Sequence, residues 1–214
     1  MKLYSYFRSS AAFRVRIALN LKGLSYDTAA IHLRRNDQST PDYRGVNPQG
    51  LVPALEDGGQ ILIQSIAIME YLDEVQPEPP LLPKPPADRA RVRALADIVA
   101  CDIHPINNLR VLRYLHRPLG HDEAAVEIWY NHWITEGFGA LEQLLAGDAQ
   151  TGSFCHGDAP GLADITLVPQ VFNAYRYNSL DLAPYPTILR IYQTCLKLDA
   201  FAAAHPDRQP DHET

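Results

Sequence analysis

One stretch decides how the first part of the chain folds: Phe7-Arg8-Ser9-Ser10-Ala11-Ala12-Phe13-Arg14-Val15-Arg16-Ile17-Ala18-Leu19. It follows a short strand-like run, residues 2–6, and its apolar residues keep a helical spacing until Gly23 ends the pattern. Two hydroxyls and an arginine therefore fall at a strand-to-helix turn. The free backbone N–H groups and the dipole of a helix favour an anion at its amino end. The stretch thus predicts a site for a thiolate or a carboxylate.

The rest of the first 76 residues continues to alternate strand and helix signals. Asp57-Gly58-Gly59 predicts a hairpin turn between two short strands, and Ser65 is the predicted N-cap of the helix that follows. The predicted order is βαβαββα, with strands at 2–6, 26–31, 52–56 and 60–63 and helices at 11–22, 41–46 and 65–75.

Proline then interrupts the pattern. Six of the eleven residues from Gln76 to Pro86 are prolines, a density that no helix or central strand tolerates. We expect a first domain over 1–76, a linker over 77–87 and an all-helical domain over 88–214. Helices are predicted in the last domain at 88–114 (bent near Pro105), 122–145, 162–178 and 186–197, with a short piece from 199.

Composition and charge narrow the class of protein. The chain has 214 residues and a net charge of −6, which argues against general binding to nucleic acid or to an anionic membrane. It contains no apolar run near the ~18–20 residues that cross a bilayer. The three cysteines are far apart, so we expect reduced thiols in a cytoplasmic protein, with neither a disulfide framework nor a metal site: Cys101, Cys155 and Cys195.

Two dipeptides could complete an anion site. If the Val52–Pro53 bond is cis, the Val52 backbone can pair with a peptide-like ligand as an added strand does. From the residues alone, an ordinary trans proline at a strand edge is the simpler interpretation. Ser65, which follows Gln64, is predicted to be a helix N-cap. A ligand carboxylate at the same helix end is compatible with that role.

Taken together, these features resemble the soluble glutathione transferases. The stretch from Arg8 to Leu19 is similar to the zeta-class pattern Ser-Ser-Cys-Ser-Trp-Arg-Val-Arg-Ile-Ala-Leu, and Cys101-Asp102-Ile103-His104-Pro105-Ile106-Asn107-Asn108-Leu109-Arg110 also resembles that class. The resemblance runs from the first strand to about Pro210. It implies the glutathione transferase fold: a thioredoxin-like α/β domain with a mixed four-stranded sheet, followed by an all-α domain.

The resemblance also implies roles for particular residues. Ser9, with Ser10 beside it, would hydrogen-bond the thiolate of glutathione. Val52, before a cis Pro53, would pair with the cysteinyl backbone of the tripeptide. Further glutathione contacts are implied for Gln49, Gln64, Ser65, His104 and Asn108.

A dianionic substrate would be held by arginines. The resemblance assigns its carboxylates to Arg8 and Arg176, with Arg110 as a further candidate. Arginine suits this task because its rigid fork grips a carboxylate with two bonds. Without the resemblance, a surface salt bridge is the better interpretation of each arginine, and a structural role is at least as good for His104.

The implied activity is glutathione-dependent cis–trans isomerisation of maleylacetoacetate in aromatic amino-acid catabolism. Maleylpyruvate is an alternative substrate, conjugation or dehalogenation of α-haloacids an alternative activity, and a non-catalytic glutathione-binding module a third possibility. A homodimer in the cytoplasm is expected. Ala11 and Ala12 replace the Cys and Ser of the class pattern, which places the reactive sulfur on the cofactor. Asp164, after Gly161, is expected to be structural.

Overall fold

A four-stranded mixed sheet organises the first half of the chain in this computed structural model, which describes residues 1–175 and 180–213. The strands are β1 (Lys2–Ser5), β2 (Asp27–Ala30), β3 (Ala54–Asp57) and β4 (Gln60–Ile63), in the order β2-β1-β3-β4. β1 pairs in parallel with β2, while β3 runs antiparallel to both β1 and β4. Gly58 and Gly59 have φ values of 56° and 82°, which a tight hairpin turn of this kind requires.

The helix that the opening stretch predicts, α1 (Ser10–Leu21), is the most deeply buried element of this part of the chain. Every residue from Ser10 to Leu19 is buried, including Arg14 and Arg16. α1 packs against α3 (Ser65–Val75) and α9 (Asp199–Ala204). A short helix, α2 (Pro41–Val46), begins at Thr40, whose hydroxyl accepts the N–H of Tyr43.

The N-cap of α3 is Gln64, and the prediction that Ser65 fills that position was wrong. Gln64 has φ 71° and ψ 118° and makes no side-chain capping bond, while Ser65 is the first helical residue. The hairpin turns the chain into α3 through a positive φ at Gln64, a conformation uncommon for a residue other than glycine.

The remaining helices form a separate arrangement. α4 (Pro86–Asp97) runs into a π-helical turn, Ile98–Ile103, and α5 (Leu109–His116) follows after a break. The predicted continuous helix over 88–114 is therefore two helices, because the π turn widens the backbone and Asn108 starts a new helix by accepting the N–H of Arg110. α6 (Glu123–Ala146), α7 (Leu162–Ala174) and α8 (Pro186–Leu196) complete the set.

The chain divides into two compact units. One contains Met1–Leu81 together with the segment that begins at Leu196, and the other contains Leu82–Cys195. The predicted division at the prolines placed all residues after 87 in one helical domain. In the structure, the segment that begins at Leu196 belongs with the sheet, because α9 packs on α1. None of the helices in the described ranges has both the length and the apolar character needed to cross a membrane.

Candidate active site

The register of the strands places three turns at the same edge of the sheet. Ser5 ends β1, Ala54 begins β3 opposite Tyr4, and Ile63 ends β4 opposite Ala54. The chain therefore leaves β1, enters β3 and leaves β4 at the same edge. The residues next to these points are the three motifs found in the sequence, Arg8-Ser9, Val52-Pro53 and Gln64-Ser65.

Ser9 closes the amino end of α1. Its Oγ accepts the N–H of Ala12 at 3.2 Å and its carbonyl accepts the N–H of Phe13 at 2.8 Å. Ser9 is half-buried, whereas only 5% of Ser10 is exposed, so Ser9 is the more accessible of the two serines. The hydroxyl of Ser9 and the first N–H groups of α1 together favour an anion at this point.

The Val52–Pro53 peptide bond is cis, as the family resemblance implied and as the residues alone did not. The Val52 side chain is 8% exposed and packs in a cluster with Tyr6, Phe7 and Tyr43. Within residues 1–175 and 180–213, the N–H and C=O of Val52 have no hydrogen-bond partner. A peptide-like ligand that adds to the sheet here would find one donor and one acceptor.

Two residues that the sequence did not single out hold the chain just before Val52. The Tyr43 hydroxyl and the Asn47 side-chain amide both donate to the carbonyl of Leu51, at 2.6 Å and 2.7 Å. Asn47 Oδ1 also accepts the N–H of Gln49 at 3.0 Å, and Asn47 is 1% exposed. Burial raises the pKa of Tyr43, so its hydroxyl stays a donor. An Asn-Pro-Gln-Gly turn signal at 47–50 is the clue that could have pointed to Asn47.

The amino end of α3 brings amides, a hydroxyl and a positive charge together. Gln64 Nε2 donates to Gln49 Oε1 at 2.9 Å, which links two residues assigned to the same ligand. Arg14, only 1% exposed, reaches from α1 and donates from Nη1 to the Ser65 Oγ at 3.2 Å. A buried guanidinium next to a helix amino end attracts a carboxylate. Arg14 was quoted in the opening motif, but its contact with Ser65 was not predicted.

Arg8 lies over the ring of Phe7, with its guanidinium carbon 5.2 Å from the ring centroid. It makes neither a hydrogen bond nor an ion pair with any of the described residues. The surface salt bridge, which is the simpler explanation of a lone arginine, therefore does not account for Arg8.

Arg16 fixes the backbone of the same turn from inside the protein. Its guanidinium donates to the carbonyls of Phe7 and Ala204 at 3.1 Å and 3.0 Å, and to the Ser5 hydroxyl at 3.1 Å. It is fully buried, and burial lowers its pKa to about 10. Even so, Arg16 stays protonated at neutral pH and can keep these bonds.

Three of the predicted residues of the second unit lie along one short segment. His104 ends the π turn, its N–H donating to the carbonyl of Val99 at 2.9 Å. Asn108 Oδ1 accepts the N–H of Arg110 at 3.1 Å, so Asn108 acts as a helix cap. The Arg110 side chain is exposed and has no partner among the described residues. Arg176, the fourth predicted residue of this unit, lies outside the described residues.

The cysteines lie outside the unit that carries the sheet. All three lie within Leu82–Cys195, so the unit that carries the sheet has none. Cys155 and Cys195 are buried, and burial raises the pKa of both thiols. Asp164 is structural, as expected: its two oxygens accept the N–H groups of Cys155 and Gly161 at 2.8 Å and 2.9 Å.

Comparison with known proteins agrees with this geometry. Residues 1–74 match the family model of the glutathione S-transferase N-terminal domain. A maleylpyruvate isomerase from Ralstonia sp is 52% identical over 211 residues, covering 99% of each chain. A maleylacetoacetate isomerase from Pseudomonas aeruginosa is 49% identical over 214 residues, covering 99% of this chain and 98% of its own.

Two solved structures are similar over the full length of both chains. The holo structure of a maleyl pyruvate isomerase, described as a bacterial glutathione S-transferase in the zeta class, has a TM-score of 0.97 at 52% identity, with 100% of each chain covered. A maleylacetoacetate isomerase from Methylobacterium extorquens AM1, with bound malonate and GSH, has a TM-score of 0.96 at 44% identity, also with 100% of each chain covered. The chain therefore belongs to the zeta class of the glutathione transferases.

Proposed function

We propose that this protein is a glutathione-dependent cis–trans isomerase that converts maleylacetoacetate to fumarylacetoacetate. One observation carries the proposal. A single sheet edge presents a capped helix end, a Val52 backbone that no described residue pairs with and an amide-rich helix end, in a unit that contains no cysteine. Such a site suits a peptide that brings its own thiol.

The residues at this edge bind different parts of the tripeptide. Val52 pairs through its N–H and C=O with the cysteinyl backbone. Gln64 and Ser65, with Arg14 behind them, hold the γ-glutamyl carboxylate and amine, and Gln49 contacts the tripeptide from the preceding loop. Glutathione contacts are proposed for His104 and Asn108 as well, because the family resemblance implies them.

When bound, glutathione supplies a thiolate that adds to the cis double bond, leaves a single bond free to rotate, and departs unchanged after rotation. Ser9 donates its hydroxyl hydrogen to that sulfur, with Ser10 beside it, and the amino end of α1 adds its dipole. A free thiol has a pKa of ~8.5, and each unit of depression represents ~1.4 kcal/mol of preference for the thiolate. No general base on the protein is required, because no proton has to be transferred to the carbon skeleton.

Arginines hold the substrate. Arg8, which has no carboxylate partner among the described residues, takes one carboxylate, and Arg176 takes the other, with Arg110 as a further ligand. Their charges also offset the negative charge that addition places on the ketone oxygen. The relative whose structure has both malonate and GSH bound supports the pairing of a dicarboxylate with glutathione.

The proposal is tested by following the ultraviolet absorbance of maleylacetoacetate with and without glutathione. We expect a glutathione-dependent loss of the cis substrate with no net consumption of thiol. Equal rates without glutathione would contradict the mechanism. Chloride release from dichloroacetate, with no isomerase activity, would favour the dehalogenase alternative.

Maleylpyruvate is a second candidate substrate. The relative that is 52% identical is named maleylpyruvate isomerase, and this substrate also has two carboxylates and a conjugated ketone. The ratio of kcat/KM for the two substrates decides between them.

We further propose a homodimer that acts in the cytoplasm. The proposal rests on family membership together with three cysteines that form no disulfide with one another. Light scattering during size-exclusion chromatography should give twice the chain mass of 23.9 kDa. A mass of one chain would contradict it.

A further inference from the structure

The segment 211–213 contacts the turn that carries Arg8 and Ser9. Asp211 Oδ2 accepts the backbone N–H of Phe7 at 2.9 Å, although the two residues are 204 positions apart in the chain. This bond reaches the turn one residue before Arg8 and two before Ser9. It is a hydrogen bond to a charged acceptor, a stronger kind than one between neutral groups.

The neighbours of Asp211 strengthen the same contact. The ring of His212 meets the ring of Phe7 edge-on, with centroids 5.3 Å apart. Phe7 in turn lies beneath the guanidinium of Arg8. A chain of direct contacts therefore leads from His212 through Phe7 to Arg8.

Glu213 anchors the segment. Its carboxylate lies 2.9 Å from Nε2 of His32 and also pairs with Arg35. The His32 ring packs against Tyr6, with centroids 5.1 Å apart. Glu213 is thus bound to a histidine that contacts Tyr6, the residue that starts the turn.

Arg16 holds the turn by its carbonyls, while Asp211 holds it by an N–H. The Phe7 carbonyl accepts from Arg16, and the Tyr6 carbonyl accepts the N–H of Ser9 at 2.9 Å. Removing Asp211 leaves these bonds in place but takes away the acceptor of the Phe7 N–H, in the peptide group that joins Tyr6 to Phe7. The side chain next to that peptide group is Phe7, and Arg8 lies over its ring.

We propose that the segment Asp211–Glu213 is a positioning element of the active site, in which Asp211 and His212 fix Phe7 and thereby place Arg8 and Ser9. The inference rests on the proposed roles of those two residues. Asp211 and His212 act through Phe7, so they are positioning residues without contact to substrate.

Asp211→Ala is the main test, with Asp211→Asn as the conservative variant and Asp199→Asn as the matched control. Asp199 is exposed, lies in the same unit and makes no hydrogen bond or ion pair with the turn within the described ranges. The thiol pKa of bound glutathione is read from the ultraviolet absorbance of the thiolate as pH is varied. For Asp211→Ala we expect it to rise by about one unit, with KM for the cis substrate up roughly tenfold.

The conservative variant keeps an oxygen that can accept the Phe7 N–H, so it should recover most of both effects, and Asp199→Asn should change neither. An Asp211→Ala protein with unchanged thiol pKa and KM overturns the inference, even if its melting temperature falls. If Asp211→Ala does not fold, His212→Ala decides. Loss of its ring contact should raise KM severalfold, and an unchanged KM overturns the inference.

The thiol titration needs glutathione binding but no turnover. A wild-type protein that binds glutathione and fails to isomerise would refute the proposed function and leave the comparison of variants intact. An active wild type with an unaffected Asp211→Ala variant would refute only the positioning role.

Discussion

Ser9 caps a helix and, in the proposed mechanism, also binds the sulfur of glutathione, so a single substitution should remove both roles. Its Oγ caps α1 by accepting the N–H of Ala12, and its hydroxyl hydrogen remains available for the sulfur of glutathione. Ser9→Ala should raise the thiol pKa of bound glutathione by about one unit and cost ~0.5–2 kcal/mol of stability. A pH–rate profile and a denaturant titration measure the two effects.

The cap effect has a control in the other unit. Asp122 caps α6 by accepting the N–H of Ala125 at 2.9 Å, so Asp122→Ala loses a comparable bond. It should lower the free energy of unfolding by a similar amount and leave the thiol pKa unchanged. If both variants shift the pH–rate profile equally, Ser9 has no special role at the sulfur.

Asn47 stabilises the loop that presents Val52. Asn47→Ala removes one of the two donors to the half-buried carbonyl of Leu51, which costs ~0.5–1.5 kcal/mol, and loosens the backbone that should pair with glutathione. We expect glutathione affinity, measured by calorimetry, to fall about tenfold. Asn20→Ala, which loses a bond to the carbonyl of Ala200, should lower stability without this loss of affinity.

Among the elements, α6 and the π turn pack closely at one glycine. A Cβ at Gly137 would overlap the side chain of Ile103, which is 1% exposed and cannot move aside. Gly137→Ala should therefore destabilise the protein by ~1–3 kcal/mol in a denaturant titration.

The same helix supplies the control. A Cβ at Gly139 meets nothing within 4 Å, so Gly139→Ala should stabilise the protein by ~0.5–1 kcal/mol through helix propensity. Equal effects of the two substitutions would show that α6 does not pack on Ile103 as described.

Element boundaries show where local patterns suffice. The short strand-like runs, the Asp-Gly-Gly turn and the apolar spacing of α1 are local signals. Each element that they predict is present, and its ends lie within a residue or two of the predicted ends. The sequence predicts only a bend where the chain breaks between α4 and α5. The π turn depends on packing that no short stretch of sequence reveals. The cap of α3 was missed because a positive φ at glutamine has no sequence signature.

At the scale of the whole molecule, stability should depend on the protonation of His205. Burial lowers the pKa of His205, with the charges of Arg208 and Arg16 adding to the effect and Asp207 opposing it. A base whose pKa is lower in the folded state stabilises the fold at pH values above 6.5, which is the pKa of His205 in the unfolded chain. That contribution is lost as pH falls through the lowered value.

Wild-type protein should accordingly lose more free energy of unfolding than His205→Gln between about pH 7.5 and about pH 5. Urea titrations at several pH values measure the difference. His121→Gln, which changes an exposed histidine, should follow the wild-type curve. Parallel curves for wild type and His205→Gln would contradict the prediction.

Long-range contacts explain why the site was only partly predictable. The motifs at Ser9, Val52 and Gln64 could be found because each lies at a recognisable local turn. Arg14 and Arg16 stood in the quoted stretch, yet their partners Ser65 and Ala204 lie 51 and 188 positions away. Asp211 carried no signal at all, since an aspartate in a polar stretch is ordinary and its partner is a backbone N–H.

The return of the chain after Leu196 to the unit that holds the sheet affects how the protein is made. The ribosome must synthesise the whole of Leu82–Cys195 before it reaches α9 and Asp211. At ~5–20 residues per second, that interval lasts on the order of ten seconds. During it, the emerging sheet has Arg16 without its acceptor at Ala204 and Phe7 without its carboxylate. The nascent chain therefore carries every glutathione-binding motif that we propose at the sheet edge before it can hold the turn from Tyr6 to Ser9 in place.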